Sequence, residues 1–134
     1  MSEESSEQQK SSDIQQIIDE IKKKANLKGV LFSYKEGSLI TENLDTPLDK
    51  SVFSSMCASV LESASSLGKS SGGLKLKKII TELESQVIII IECSYETFLV
   101  LFVNENSETK KILNDIDLYI RKIILIYEQR KKKK

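Results

Sequence analysis

Histidine is absent from the 134-residue chain, which removes the commonest general base and the commonest metal ligand together. Cysteine is scarce. Cys57 and Cys93 make neither a zinc-site spacing nor a disulfide framework, so both read as small core residues of a protein in a reducing, cytoplasmic compartment. Arginine occurs only at Arg121 and Arg130, too few for bidentate reading of phosphates or bases to be the main business of the chain. Net charge is missing too: 20 basic and 20 acidic residues cancel, so bulk electrostatics selects neither nucleic acid nor any other partner. The opening residues, Met1 to Ser12, are polar and acidic and hold no apolar core of the kind a signal peptide needs. No carboxylate pair stands at a catalytic spacing and nothing activates either thiol, so the composition speaks against an enzyme and implies no cofactor or metal.

A membrane-length apolar run is also lacking, although Gln86 to Glu105 comes near to one. A spanning helix takes roughly 20 nearly uninterrupted apolar residues. Here Glu92, Ser94, Tyr95, Glu96 and Thr97 break the stretch in its middle. Val87 to Ile91 and Phe98 to Val103 are rich in β-branched and aromatic residues, and each has the length of a strand, so the segment reads as a β-hairpin. Neither half alternates cleanly between apolar and polar, which calls for helices on both faces of the sheet.

What the chain does contain fits one domain. Residues 1–11 read as a disordered tail with nothing to bury. The folded domain is expected over residues 12–129. It opens with a helix carrying Ile14, Ile17, Ile18, Ile21 and Ala25 on one stripe, with Ser12 and Gln15 at capping-box spacing and Asn26 as its stop. Two short apolar runs around Lys35-Glu36-Gly37 predict a first hairpin, whose glycine can take the positive φ of the turn. A second helix is marked by Thr46 as N-cap, Pro47 at its first position, Asp49 three residues after the cap and Gly68 just past its end. Leu74 to Ser85 reads as a strand whose lysines suit a sheet edge, and it leads into the apolar hairpin. The last helix carries an apolar arc of Ile112, Ile116, Tyr119, Ile120, Ile123, Ile124 and Tyr127, and residues 130–134 form a basic, solvated tail. The expectation is an α+β fold in the order α-β-β-α-β-β-β-α, with a five-stranded antiparallel sheet between helices.

At about 100° per residue the middle helix sets Val52, Phe53, Met56, Val60, Ala64 and Leu67 on one face, expected against the sheet. The opposite face, with Ser51, Ser54, Ser55, Ala58, Glu62, Ser65 and Ser66, is almost all small where a solvent face ordinarily carries Lys and Glu. Small residues let another helix approach closely, and hydroxyls can bond across such a contact. This face is the expected dimer or partner interface; the alternative is a serine-rich exposed face with no role.

The element order, the stretch GVLFSYKEG with Gly29, Val30 to Phe32, Ser33 and Gly37, and IIIIECSYETFLVLFVNE ahead of the last helix resemble the Roadblock family of dynein light chain and GTPase-regulator proteins. The likeness runs from about Ser12 to Gln129 and implies a profilin-like sandwich. It also implies a symmetric dimer in which the third strands pair edge to edge and the middle helices lie side by side, which adds Leu76, Lys78 and Ile80 to the expected interface. The function implied is a non-catalytic platform for a Ras-like small GTPase, built as a homodimer or with a paralogous Roadblock protein. The alternative is a structural adaptor of a motor or membrane-trafficking assembly, indifferent to nucleotide.

Three weaker signals remain. SASSLGKSSGG contains Gly-Lys-Ser, but Ser63 stands where the first glycine of a phosphate-binding loop belongs, and the segment follows a helix instead of leading from a strand into one. Leu118 and Leu125, two helical turns apart and off the main stripe of the last helix, form with Arg121 a secondary partner candidate. Packing within the protomer and a surface ion pair are the favoured readings, since an arginine finger ordinarily needs a loop's reach. The lysines after Arg130 attract an anionic membrane by about 1 kcal/mol per charge. Without an apolar anchor, that gives peripheral contact at most.

Overall fold

A computed structural model of the chain describes the backbone of residues 3–132 and the side chains of residues 13–129. Among the described residues the elements follow the expected order: α1 (Glu3–Lys24), β1 (Gly29–Tyr34), β2 (Leu39–Leu44), α2 (Lys50–Ser70), β3 (Ile79–Glu82), β4 (Val87–Glu92), β5 (Thr97–Val103) and α3 (Thr109–Lys132). The strands form one antiparallel sheet in the order β2-β1-β5-β4-β3. The stretch from Gln86 to Glu105 is thus the β4–β5 hairpin, and no described helix is long and apolar enough to cross a membrane.

Period-two alternation feeds two cores. Leu99, Leu101 and Val103 of β5 join Ile14, Ile18, Ile112 and Ile123 beneath α1 and α3, while Phe98, Val100 and Phe102 meet Cys57, Ala58 and Leu61 of α2 on the other face. All of β5 is buried, as a central strand covered on both sides must be. The apolar stripes of α1 and α3 point inward as their spacing requires. At the end of α1, Asn26 takes φ 52°; its N–H donates to the Lys23 carbonyl at 3.3 Å and that of Leu27 to the Lys22 carbonyl at 2.9 Å. This pair of bonds is a Schellman stop with asparagine in the left-handed position. Gly37 turns the first hairpin at φ 113°. Gly29 serves by its bareness, because a Cβ there would lie 2.4 Å from Leu44 Cδ2 and 3.2 Å from the Asn43 carbonyl.

Several boundaries differ from the sequence-based expectation. α1 starts at Glu3, so the helix runs back through the segment expected to be a disordered tail, and Ser12 stands inside it instead of capping it. Extending a formed helix is far easier than nucleating one, and Glu and Gln are good helix formers. At the other end α3 continues to Lys132; the last two lysines lie outside the described residues. α2 begins at Lys50 with Asp49 as its N-cap, whose Oδ1 accepts the Val52 N–H at 3.2 Å. Thr46 and Pro47 precede the helix, because Leu48 first drops into the core beside Phe53. Those two residues flank the cap as a hydrophobic staple.

The third strand is also shorter than expected, spanning only Ile79–Glu82. Residues 74–78 are tied to the helix end instead of to β4: the Leu74 N–H donates to the Gly68 carbonyl at 2.9 Å, and Leu76 packs into the core under α2. Gly68 therefore lies within the last turn of a helix that ends at Ser70. A Cβ on it would come within 2.4 Å of the Leu74 carbonyl oxygen.

The two margins of the sheet are finished differently. On β2, the Glu42 carbonyl accepts from Gln15 Nε2 at 3.1 Å and the Leu44 N–H donates to the Glu42 carboxylate at 2.9 Å. Asn43 reaches Asp19 at 2.8 Å, and Lys22 binds both Asn43 and Asp45. Among the described residues β3 has no such cover: it pairs with β4 alone.

Candidate interaction surface

The contact between α2 and the sheet sets which of its residues can meet anything else. β1, β4 and β5 present large side chains on that face, among them Leu31, Ile90, Phe98 and Phe102. A helix approaches such a surface closely only through small residues, and Ser54, Cys57, Ala58 and Leu61 are the ones it buries. Ser54 is fully buried, with its Oγ 2.6 Å from Ser33 Oγ and 2.7 Å from the Gly37 carbonyl oxygen. One hydroxyl proton serves one acceptor, so both contacts are satisfied when Ser33 donates to Ser54 and Ser54 to Gly37. A hydroxyl relay thereby ties α2 to the first hairpin.

This arrangement inverts the expected orientation of α2. Ser54 and Ala58, assigned from sequence to an interface, are covered within the protomer, while the apolar stripe expected against the sheet faces outward. Val52 is 53% exposed, Met56 54%, Val60 44% and Leu67 69%. Only Phe53 and Ala64 of that stripe are half-buried, Phe53 with its ring 5.1 Å from that of Phe102. Ser51 and Ser55 are exposed beside the stripe. Glu62 and Ser65 line an open groove of about 600 Å³ together with Leu74, Leu76 and Tyr95.

The rest of the expected interface lies where the strand order puts it. Ile80 is 53% exposed on the open margin, Lys78 stands exposed just ahead of β3, and Leu76 is half-buried under α2. Leu74 at 64% and Leu83 at 53% add to the apolar surface around this edge. Exposed large side chains clustered on one helix and one strand edge make this a candidate interaction surface. Sequence reasoning missed Val52, Met56, Val60 and Leu67 as members of it. The signal present was that α2 carries only Lys50, Glu62 and Lys69 as charged side chains, so neither of its faces was built for water.

Leu118 and Leu125 are 55% and 64% exposed and Arg121 is exposed between them. They do not pack within the protomer as expected, and no ion pair forms at Arg121 among the described residues. Burial pushes the Cys57 thiol up to about 11 and raises that of Cys93 further, which keeps both protonated at neutral pH and poor as nucleophiles.

The Roadblock/LC7 domain model matches residues 13–102, and the chain belongs to that family. Its fold is similar to that of Myxococcus xanthus MglB, at 20% identity and TM-score 0.82 over 90% of this chain and 91% of that one. The gliding protein MglB of Thermus thermophilus is similar at 14% identity and TM-score 0.81, over 90% and 92%. A Roadblock/LC7 domain from Streptomyces avermitilis follows at 9% identity and TM-score 0.66, over 87% and 93%. No curated protein sequence matches the chain.

Proposed function

We propose that the protein is a non-catalytic, dimeric scaffold that binds a Ras-like small GTPase and regulates or reads its nucleotide state. The observation that carries this reading is the outward apolar stripe of α2 beside the uncovered β3 margin. Two copies meeting there would join their sheets and set their middle helices side by side. Exposed apolar area supplies the affinity of such a contact, since the surface offers little charge. Membership of the Roadblock/LC7 family supports the GTPase assignment, and the buried, protonated thiols and the lack of histidine support a role in binding over one in chemistry.

The test has two parts. Light scattering on the purified chain at tens of micromolar should give twice the protomer mass. Pull-down with small GTPases of the same organism, loaded with GTP analogue or with GDP, should recover at least one of them in a nucleotide-dependent way. Failure with both forms, together with capture of other protein classes, would favour the adaptor reading instead.

A further inference from the structure

The core takes the arc of Ile112, Ile116, Ile120 and Ile123 from α3 and leaves Leu118 and Leu125 more than half exposed. Seven residues at about 100° each bring these two leucines to within about 20° of one another, so they form a ridge along the outer side of the helix. Arg121 and Lys122 stand between them, both exposed and without an ion-pair partner among the described residues. Lys111 opens the same line seven residues before Leu118, with only a 3.5 Å contact to Glu108. The acids of α3 leave the ridge basic: Asp117 and Glu128 are turned from Leu118 by about 80–100°, and Asp115, which lies nearer, is held by Lys24 at 2.6 Å. Five more cations, Arg130 to Lys134, follow in the sequence.

We propose that this ridge docks the protein on an anionic lipid surface, with Leu118 and Leu125 entering the boundary between headgroups and acyl chains and Arg121 and Lys122 meeting the headgroup charges beside them. The long stems of Arg and Lys let their charges stay at headgroup level while the leucines sink. Neither half suffices alone. A run of cations without an apolar anchor gives weak attachment that salt removes, and two leucines without charge give little more; aligned on one helix they supply the two signals that stable peripheral binding requires. The shape favours lipid over a protein partner, since a convex ridge of two leucines offers a protein little area, whereas acyl chains close around it from every side. The exposed side of α1 carries Asp13 and Glu20, so the contact falls on the ridge of α3 and not on the whole helical layer. α2 packs on the opposite face of the sheet. Lipid contact therefore needs no dimer and leaves the stripe of α2 open to protein partners.

Co-sedimentation of the full chain with vesicles tests this. Vesicles of phosphatidylcholine with about 30% phosphatidylserine should bind it, pure phosphatidylcholine should not, and raising salt from about 0.1 M to about 0.5 M should release most of it. Leu118→Ser and Leu125→Ser should each weaken partitioning roughly tenfold, because about half of each side chain remains to be buried. Arg121→Gln and Lys122→Gln should each weaken it about fivefold, while Tyr95→Ser, which removes an exposed ring from the turn between β4 and β5, should change nothing. The chain has no tryptophan, so Leu125→Trp supplies a single reporter, whose emission should shift to the blue on the anionic vesicles while that of Tyr95→Trp stays in place. Vesicles left unbound at either composition, or bound equally with and without phosphatidylserine, would overturn the proposal. Anionic vesicles that take wild type and the leucine variants alike, with Leu125→Trp unshifted, would overturn it too, since charge alone would then be holding the protein.

Discussion

Met56→Ala separates the two faces of α2 most directly. Burying a Met side chain completely contributes about 1.5–3 kcal/mol, and Met56 is 54% exposed in the single protomer, so half of that remains to be gained at an interface. The loss on truncation is then roughly 1 kcal/mol per copy and twice that per symmetric dimer, a dissociation constant roughly 30-fold weaker. The protomer itself should keep its stability within about 0.5 kcal/mol, since an exposed helix position is being changed to a better helix former. Ala58→Met is the converse: it forces a long side chain into the contact between α2 and the sheet and should lower folding stability by about 1–3 kcal/mol. Sedimentation equilibrium reads the first quantity and urea unfolding below the dissociation constant reads the second. If Met56→Ala dimerises within twofold of wild type, or if Ala58→Met folds as stably as the parent, the assignment of inner and outer faces is wrong.

Two further outcomes follow from buried groups. Ser54→Ala should lower stability by about 1–3 kcal/mol, because it strands the Gly37 carbonyl and the Ser33 hydroxyl without a partner, whereas Ser51→Ala at the exposed helix start should be silent in the same denaturant titration. The raised pKa of Cys57 means that the folded state holds its thiol proton more tightly than the unfolded state. Its contribution to stability is complete below the unfolded thiol value and is lost as pH rises toward about 11. Thermal melts across that alkaline range should fall more steeply for wild type than for Cys57→Ala, and alkylation of Cys57 at pH 8 should track unfolding.

The parts of the fold legible in the sequence were those with a single possible neighbour. α1 and α3 each carry one apolar arc, so Ile14 to Ile21 and Ile112 to Ile123 could only point inward. The polar break from Glu92 to Thr97 could only be a turn. α2 was different: it has an apolar arc and a small-residue arc, and the rule that the oilier face seeks the core fails here, since the sheet buries Ser54 and Ala58 while Val52, Met56, Val60 and Leu67 stay exposed. The sheet takes the arc of Ser54, Cys57, Ala58 and Leu61, which packs against Phe98, Val100 and Phe102, and that choice is tertiary. The shortening of β3 was hidden for a similar reason, since Leu74 and Leu76 continue the alternation of a strand while the carbonyl of Gly68 holds the chain elsewhere. Lys78 and Ile80 lie exposed at the β3 end of the sheet, a position that follows from the element order.

The contrast between the two rims of the sheet limits how large an assembly can grow. With the Glu42 carbonyl and the Leu44 amide already claimed by neighbouring side chains, a joined pair of protomers would present partly capped ends. Strand addition beyond the pair would be disfavoured, which favours a finite particle over a fibre.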